Sequence, residues 1–556
     1  MIAMTINTDV LIIGGGGAAC RAAIEAADCG AAVILASKKP PEKAGATSFP
    51  VAEMAGYNAG DPSIQGDTGR HFQDIIDAGQ GMAIEELAAV LAVNAPATIT
   101  RLEEWGVRYE QKNNDYYVFK SCFSRHPRTH VIRGHGEPII KAMLTRIRNR
   151  PNLKILDSIT ITGLFVHDGH CYGAFGWTAE GEQTIINAGA VVMATGGVSQ
   201  AFERNMNPPD VCGDGYAMGY DAGANLINME FMQIGVGFCH PIVNIFNGYI
   251  WAGLPSLYNA RGEEFLSAGL PAGVSADTVM REHRGHFPFS VSDAGKYLEI
   301  AIQKEIRGGR GTRYGGITID LRKMTDTYVN SLVDDCGIHH MWPIARDYIK
   351  SKGVDLLNQT AEVCCFAHAV NGGLLIDRNA STSVPGLYAA GEVAGGPHGA
   401  DRLGGNMMVT CQVFGAIAGR NAAEFATRNA KRVTPPAPTP EIEAASELLR
   451  KELDGEVILA QLREITQRNL LVCREEEGLK KTVELVGNLR NEISAAPVGE
   501  KLSSRNFEIA SMLTSIKLMA TAALRREESR GSHHREDYPE KDESQSKPFV
   551  INKRSC

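Results

Sequence analysis

What the chain lacks narrows its function. None of its twelve cysteines stands in a Cys-x-x-Cys arrangement, which excludes an iron–sulfur ligand run and a c-type haem attachment site, both of which need closely spaced thiols. Cys364 and Cys365 are adjacent, and chain neighbours rarely pair. Reduced thiols in a reducing compartment are the plainer reading. Positive charge is not in excess: the net charge is −8, which argues against a nucleic-acid surface built on bulk basicity. No apolar run approaches the roughly 20 residues of a membrane span. The N-terminal stretch carries neither a charged leader region nor a cleavage site, so the cytoplasm is the expected location.

What is present is an ordinary globular composition, 44% hydrophobic and 22% charged, in a chain too long for one core. Residues 8–37 read strand, turn, helix, strand, the start of a βαβ unit. The turn holds Gly14-x-Gly16-x-x-Ala19, with Gly17 and Ala18 between. The first glycine permits the tight turn, and the second lets backbone approach a pyrophosphate. The small third residue lets helix and strand pack, and the helix N-terminus faces phosphate with free N–H groups. A glycine-rich turn alone can be only a turn. An acidic residue often ends the second strand, where it binds a ribose; here Ser37-Lys38 stands there, which weakens an NAD reading and leaves FAD open.

Two further apolar strands end in glycines, one at Ala194-Thr195-Gly196-Gly197 and one at Ala390-Gly391-Glu392. Three such junctions predict one sheet assembled from segments distant in sequence. Pro435 to Pro440 reads as a stiff linker. After it, residues 441–525 carry helical periodicity, with Leu448, Leu449, Leu453 and Leu462 among the apolar positions. The charged stretch from Glu527 reads as a solvated end.

Taken together, the segments at 12–19, 194–197, 213–233, 368–373, 389–406 and 527–542 resemble the fumarate reductase/succinate dehydrogenase flavoprotein family. That family includes L-aspartate oxidase and, more distantly, the adenylylsulfate reductase α chain. The resemblance implies an α/β fold: a Rossmann-like FAD-binding domain, an inserted α+β capping domain and a C-terminal helical domain. The expected divisions are 1–233 and 346–432 for the FAD-binding domain, 234–345 for the cap, and 433–556 for linker, helices and tail. Asp214 then belongs to a flavin-domain loop at a helix start, and Glu392 matches the residue holding the ribitol or phosphate region of FAD. Gly404-Gly405-Asn406 opens a helix facing the flavin pyrimidine. The family has Ser-Asn-Ser where this chain has Gly405-Asn406-Met407, so backbone contacts replace hydroxyl contacts. Respiratory members bond FAD through a histidine before a threonine; here Ala46 precedes Thr47, so FAD is expected to be non-covalent.

The resemblance also implies hydride transfer between flavin N5 and a C=C bond, with substrate carboxylates clamped by Arg and His. His368 and Arg402 match that clamp. The rest departs. Ile234-Gly235-Val236-Gly237 replaces Tyr-His-Pro-Thr, and His240-Pro241 is out of register. No carboxylate stands near 246–249, and no arginine stands in 290–296 where the family delivers a proton. Lys296 is the cation on offer there, with Arg281, Arg284, Arg310 and Arg313 further away; a solvated charge is the plainer reading of each. Arg125, His126 and His130 form a polar cluster that either lines the flavin site or is a basic loop. The expected activity is a soluble FAD-dependent oxidoreductase acting on a small carboxylate-bearing, unsaturated, non-fumarate substrate. The alternatives are an adenylylsulfate reductase-like or amino-acid oxidase-like flavoprotein, or an electron-transfer subunit needing an iron–sulfur or ferredoxin-like partner. No metal site is expected in the chain itself.

Overall fold

In the computed structural model, which describes residues 4–50, 52, 54–60, 64–245, 248–429 and 440–553, the first strand, Met4–Ile13, runs parallel to Val33–Ala36 on one side and Gln183–Met193 on the other. Leu153–Leu156 extends the sheet in parallel beyond Val33–Ala36. An antiparallel hairpin of Ile159–His167 and His170–Thr178 completes the opposite flank. Leu387–Ala389 also runs parallel to Gln183–Met193. Val10 to Ile13 and Val33 to Ala36 are buried throughout, as a parallel sheet covered on both faces requires. The register sets Ile13 beside Met193 and Met193 beside Ala389. The three glycine junctions therefore lie side by side, as three segments feeding one sheet predict.

The helix Gly17–Asp28 packs against Asn406–Arg428, which returns from the far end of the domain. The cap is built on an antiparallel sheet in the order Asn244–Ile245, Met232–His240, Ala361–Val370, Ile317–Asp320, Ser256–Tyr258. Ala361–Val370, the strand carrying His368, pairs with Met232–His240 and Ile317–Asp320, and the helix Ile338–Ser351 precedes it. Trp251 is buried in the cap core, its ring 5.7 Å from that of His283.

The C-terminal part holds four helices, Pro440–Leu449, Gly455–Asn469, Glu476–Ala495 and Ser504–Arg525. Leu449 and Leu462 point into their core. Most of the expected Pro-rich linker lies outside the described residues. Ser504–Arg525 is, by length and composition, apolar enough to cross a membrane, contrary to the expectation that no run would be; most of it is buried inside the protein.

The charged stretch after Arg525 is the clearest departure from expectation. Arg526, Glu528, Arg530, His533 and Arg535 are buried. Arg526 Nε lies 2.6 Å from Glu230 Oε1, and Arg530 grips Glu528 through Nε and Nη2 at 2.8 and 2.9 Å. Gly531 O accepts the Val291 N–H from the cap, and Ser532 Oγ donates to Ala400 O, two residues before Arg402. Opposite charges interleaved at short spacing pair with one another, so this segment is an internal strut.

Candidate flavin and substrate site

A long cavity opens where the strands Met4–Ile13, Gln183–Met193 and Leu387–Ala389 end. Gly14, Gly16, Gly17 and Ala18 line it, and Ala19 lies just behind, fully buried. Gly14 is required on two counts: its φ is +130°, and a Cβ there would stand 2.2 Å from Ala194 O. Gly17 N donates to Thr47 Oγ1 at 3.2 Å, which brings the Ala46–Ser48 turn over the helix start. Ala46 and Thr47 both line the cavity.

At one end the walls are Ser37, Lys38 and Asp214. Lys38 Nζ sits 2.6 Å from Asp214 Oδ2 and 2.8 Å from Glu508 Oε1 of the last long helix. Burial disfavours the ammonium, but Asp214, Cys212 and Glu508 overcome this and hold Lys38 charged well above the usual lysine range. Asp214 Oδ1 has no protein partner although buried. Asp210 holds the neighbouring loop by accepting the Gly45 N–H at 2.8 Å.

The cavity is also walled by Ala194, Thr195, Gly196, Glu392, Met407 and Cys411, with Thr195 packed against the helix that Asp214 starts. Gly197 does not line the cavity but backs Glu392, where a Cβ would fall 2.0 Å from Oε1. The Glu392 carboxylate accepts the Val370 N–H at 3.0 Å. Burial pushes its carboxyl up to about 7, against the pull of that N–H, Arg402 and the Gly197 N–H. Gly405, with φ +79°, caps the helix Asn406–Arg428. Asn406 is turned away from the cavity, with Oδ1 3.0 Å from His71 Nε2.

Val370 leads directly to the clamp residues. His368 lies two residues upstream, its ring edge-on to Phe287 at 5.8 Å. Burial, with Arg402 and His135 adding positive potential, pushes His368 down to about 3. Arg402 is buried and among the described residues has no carboxylate within ion-pair distance. Its Nη1 donates to Leu403 O at 3.1 Å, and its Nε has no partner. Burial lowers its pKa to about 10, with Cys122, Glu392 and Cys411 opposing; it stays cationic at neutral pH. Around Arg402, the residues His368, Cys122, His135 and Glu392 are largely enclosed by protein yet partly accessible, and Glu392 also lines the cavity; this neighbourhood is the candidate substrate recess.

Lys296 does not face that recess. It ends a short turn on the cap with Nζ over the Tyr297 ring at 5.4 Å. Of the polar cluster, Arg125 and His126 are exposed, with Arg125 paired to Asp77. His130 is buried against the rings of Tyr109 and Tyr116. His135, three residues after Ile132, approaches the site instead and bonds to the Thr47 backbone. Cys122, Asp210 and Glu508 escaped sequence reasoning, because each reaches the site through tertiary packing without a local motif.

These residues fit FAD. The glycine cradle admits a pyrophosphate at a helix N-terminus. The unpartnered Asp214 Oδ1 and the buried, unpartnered Thr195 Oγ1 await hydroxyl or amide donors and acceptors. When bound, the flavin would supply two-electron chemistry beside the Arg402 recess.

Comparison with known proteins agrees with this geometry. Residues 9–408 match the model of an FAD binding domain, and residues 459–550 that of the fumarate reductase flavoprotein C-terminus. An uncharacterized FAD-dependent oxidoreductase of Methanocaldococcus jannaschii is 32% identical over 98% of this chain and 96% of its own length. One subunit of the fumarate reductase (CoM/CoB) of Methanothermobacter marburgensis is 31% identical over 98% of this chain and 97% of its own. Among solved structures, Sdh1 of Mycobacterium smegmatis in complex with UQ1 superimposes with a TM-score of 0.83 at 27% identity, covering 99% of this chain and 92% of that one. Adenylylsulfate reductase of Archaeoglobus fulgidus, 19% identical with a TM-score of 0.72 over 99% of this chain and 94% of its own, shares the fold. A glycine cradle shaped for a dinucleotide, a buried unpaired arginine beside it and these matches along nearly the whole chain establish that it belongs to the fumarate reductase/succinate dehydrogenase flavoprotein family and is an FAD-dependent oxidoreductase of that type.

Proposed function

We propose that the protein holds FAD non-covalently and transfers hydride between the flavin and a small unsaturated acid bearing a single clamped carboxylate, distinct from fumarate. Arg402 is the observation that carries this reading. A buried guanidinium without a carboxylate partner is a standing site for an anion, and its planar fork suits a carboxylate. Arg402 is a permanent positive charge whose field reaches His368 and Glu392. His368 and His135 are pushed down to about 3 and about 4 and remain neutral. Next to Phe287 lies an apolar cluster of Ala52, Met206, Ile245, Cys364 and Phe366, which suits an apolar substituent better than a second carboxylate.

In this reading Arg402 binds the carboxylate and turns the double bond toward the flavin. His368 donates one neutral N–H to the same group, and the packed cap excludes water. Ala46 offers no nucleophile for a flavin bond. Electrons arrive from a separate protein, as the naming of relatives as subunits suggests. An iron–sulfur or ferredoxin-like protein is the proposed donor.

The test is anaerobic reoxidation of dithionite-reduced holoprotein by crotonate, cinnamate and fumarate, followed at the flavin absorbance. A monocarboxylate is expected to act faster than fumarate. Fastest reoxidation by fumarate would overturn the substrate assignment.

A further inference from the structure

Cys122 lies on the loop between the strands Val118–Phe119 and Thr129–Arg133. Its carbonyl accepts the Gly404 N–H at 3.1 Å, and Ser121 Oγ donates to Gly404 O at 3.0 Å. The loop is thus fixed to the turn that follows Arg402. The Cys122 sulfur accepts the Phe287 N–H at 2.8 Å, and Phe287 is the residue whose ring meets His368. The loop of the thiol is thus tied to the Arg402 turn and its sulfur to the residue whose ring meets His368, its own S–H free of that bond.

A second observation points to a ligand here independently of the cysteine. Arg402 is 6% exposed and its Nε is unpartnered. The Arg402 charge and a Cys122 thiolate would favour each other, which places the two groups within electrostatic reach. An acid held by that guanidinium would lie against the thiol.

The chemistry of the position suits a proton donor. Burial pushes the Cys122 thiol up, against the opposing Phe287 N–H and the Arg402 charge, so the proton is in place at neutral pH. The same N–H and guanidinium stabilise the thiolate once the proton has left. The two histidines facing the recess are neutral, and Arg402 is occupied by the carboxylate.

Resting on the function proposed above, we propose that Cys122 is the catalytic acid of the reduction, protonating the substrate carbon that bears the Arg402-held carboxylate. The other alkene carbon accepts hydride from the two-electron-reduced flavin. The π electron pair forms the new C–H bond at the first carbon as the S–H bond breaks, its electrons staying on sulfur. The alkene is reduced, the flavin is oxidised, and water reprotonates the thiolate.

Two measurements test this. In the first, holoprotein carrying Cys122→Ala or Cys122→Ser is reduced with dithionite and mixed with whichever of crotonate and cinnamate reoxidises the native flavin. Reoxidation is expected to slow about 100-fold or more in Cys122→Ala and by an intermediate factor in Cys122→Ser, at unchanged flavin content. An unchanged rate in Cys122→Ala overturns the proposal and leaves the function standing. If neither acid reoxidises native flavin, the function falls and the proposal with it. The second measurement needs no turnover. Iodoacetamide labelling of Cys122 in the cofactor-free protein, read by peptide mass, is expected to accelerate only at alkaline pH. Arg402→Ala is expected to move that midpoint higher by removing the charge that favours thiolate. A midpoint that does not move places the thiol away from the guanidinium and overturns the proposal.

Discussion

Glu392 Oε1 accepts the Val370 N–H at 3.0 Å, tying the cofactor cavity to the strand that carries His368. This carboxyl is raised from 4.5 to about 7 by burial, so the folded protein keeps a proton that the unfolded chain releases. The stability it contributes to the cofactor-free protein is full below pH 4.5 and is lost as pH rises to about 7, by at most about 3 kcal/mol. Glu392→Gln is expected to flatten that part of the urea-midpoint profile.

Asp401 has the same sign. Buried beneath Ser290 and Gln80, and facing His286 and Asp293, its carboxyl is raised from 3.8 to about 7, chiefly by burial. Asp401→Asn is expected to remove a decline of at most about 4 kcal/mol between those pH values. Chemical denaturation of the two variants and the double variant, across pH, separates the contributions.

Lys38 holds the Asp214 side of the cavity. Lys38→Met leaves Asp214 buried without its counter-charge, and is expected to cost about 3–5 kcal/mol of stability and weaken FAD binding. Lys38→Arg is expected to restore part of both. Fluorescence titration with FAD, alongside urea unfolding, checks each.

Replacing Arg402 by Lys keeps the charge but loses the planar fork, so reoxidation by a carboxylate substrate is expected to fall about 100-fold or more while FAD remains bound. Stopped-flow reoxidation with a parallel flavin assay is the measurement.

The strut after Arg525 gives a stability prediction. Glu528 is buried between Arg526 and Arg530, and Glu528→Gln takes the carboxylate from Arg530 and leaves Arg526 with Glu230 alone, at about 3–5 kcal/mol. Because Arg530 Nη1 donates to Gln80 O and Gln80 in turn bonds Asp401, loss of FAD at moderate urea is expected to accompany the shift.

Acid precipitation tests the attachment proposed from Ala46: all flavin is expected in the supernatant, and colour in the pellet would overturn it.

The sheet and its cofactor cradle were legible in the sequence because their determinants are local. An apolar strand running into Gly14 and Gly16 constrains backbone and packing within a few residues. Glu508 and Asp210 were not legible. They reach Lys38 and the Gly45 loop from segments 470 and 165 residues away along the chain, and nothing in their own neighbourhoods marks them. The segment after Arg525 was misread for a physical reason. Charge density alone suggests solvent, yet alternating Arg and Glu can satisfy each other in the interior, and here Glu230 and Gln80 complete the pairing. Lys296 was suggested by its position in the chain, and the turn Ala294–Lys296 directs it toward Tyr297.

The neighbouring strand ends Ile13, Met193 and Ala389 have a consequence for how the protein is made. A ribosome delivers them in that order, separated by long intervals, and the last wall of the cavity, with Met407 and Cys411, emerges later still. A nascent chain can form the first βαβ unit early but has no complete seat for the dinucleotide until most of the protein has been synthesised. Pairings this distant in sequence are intrinsically slow to form. Flavin uptake during synthesis is therefore expected to wait until Leu387–Ala389 and the Met407–Cys411 wall have emerged.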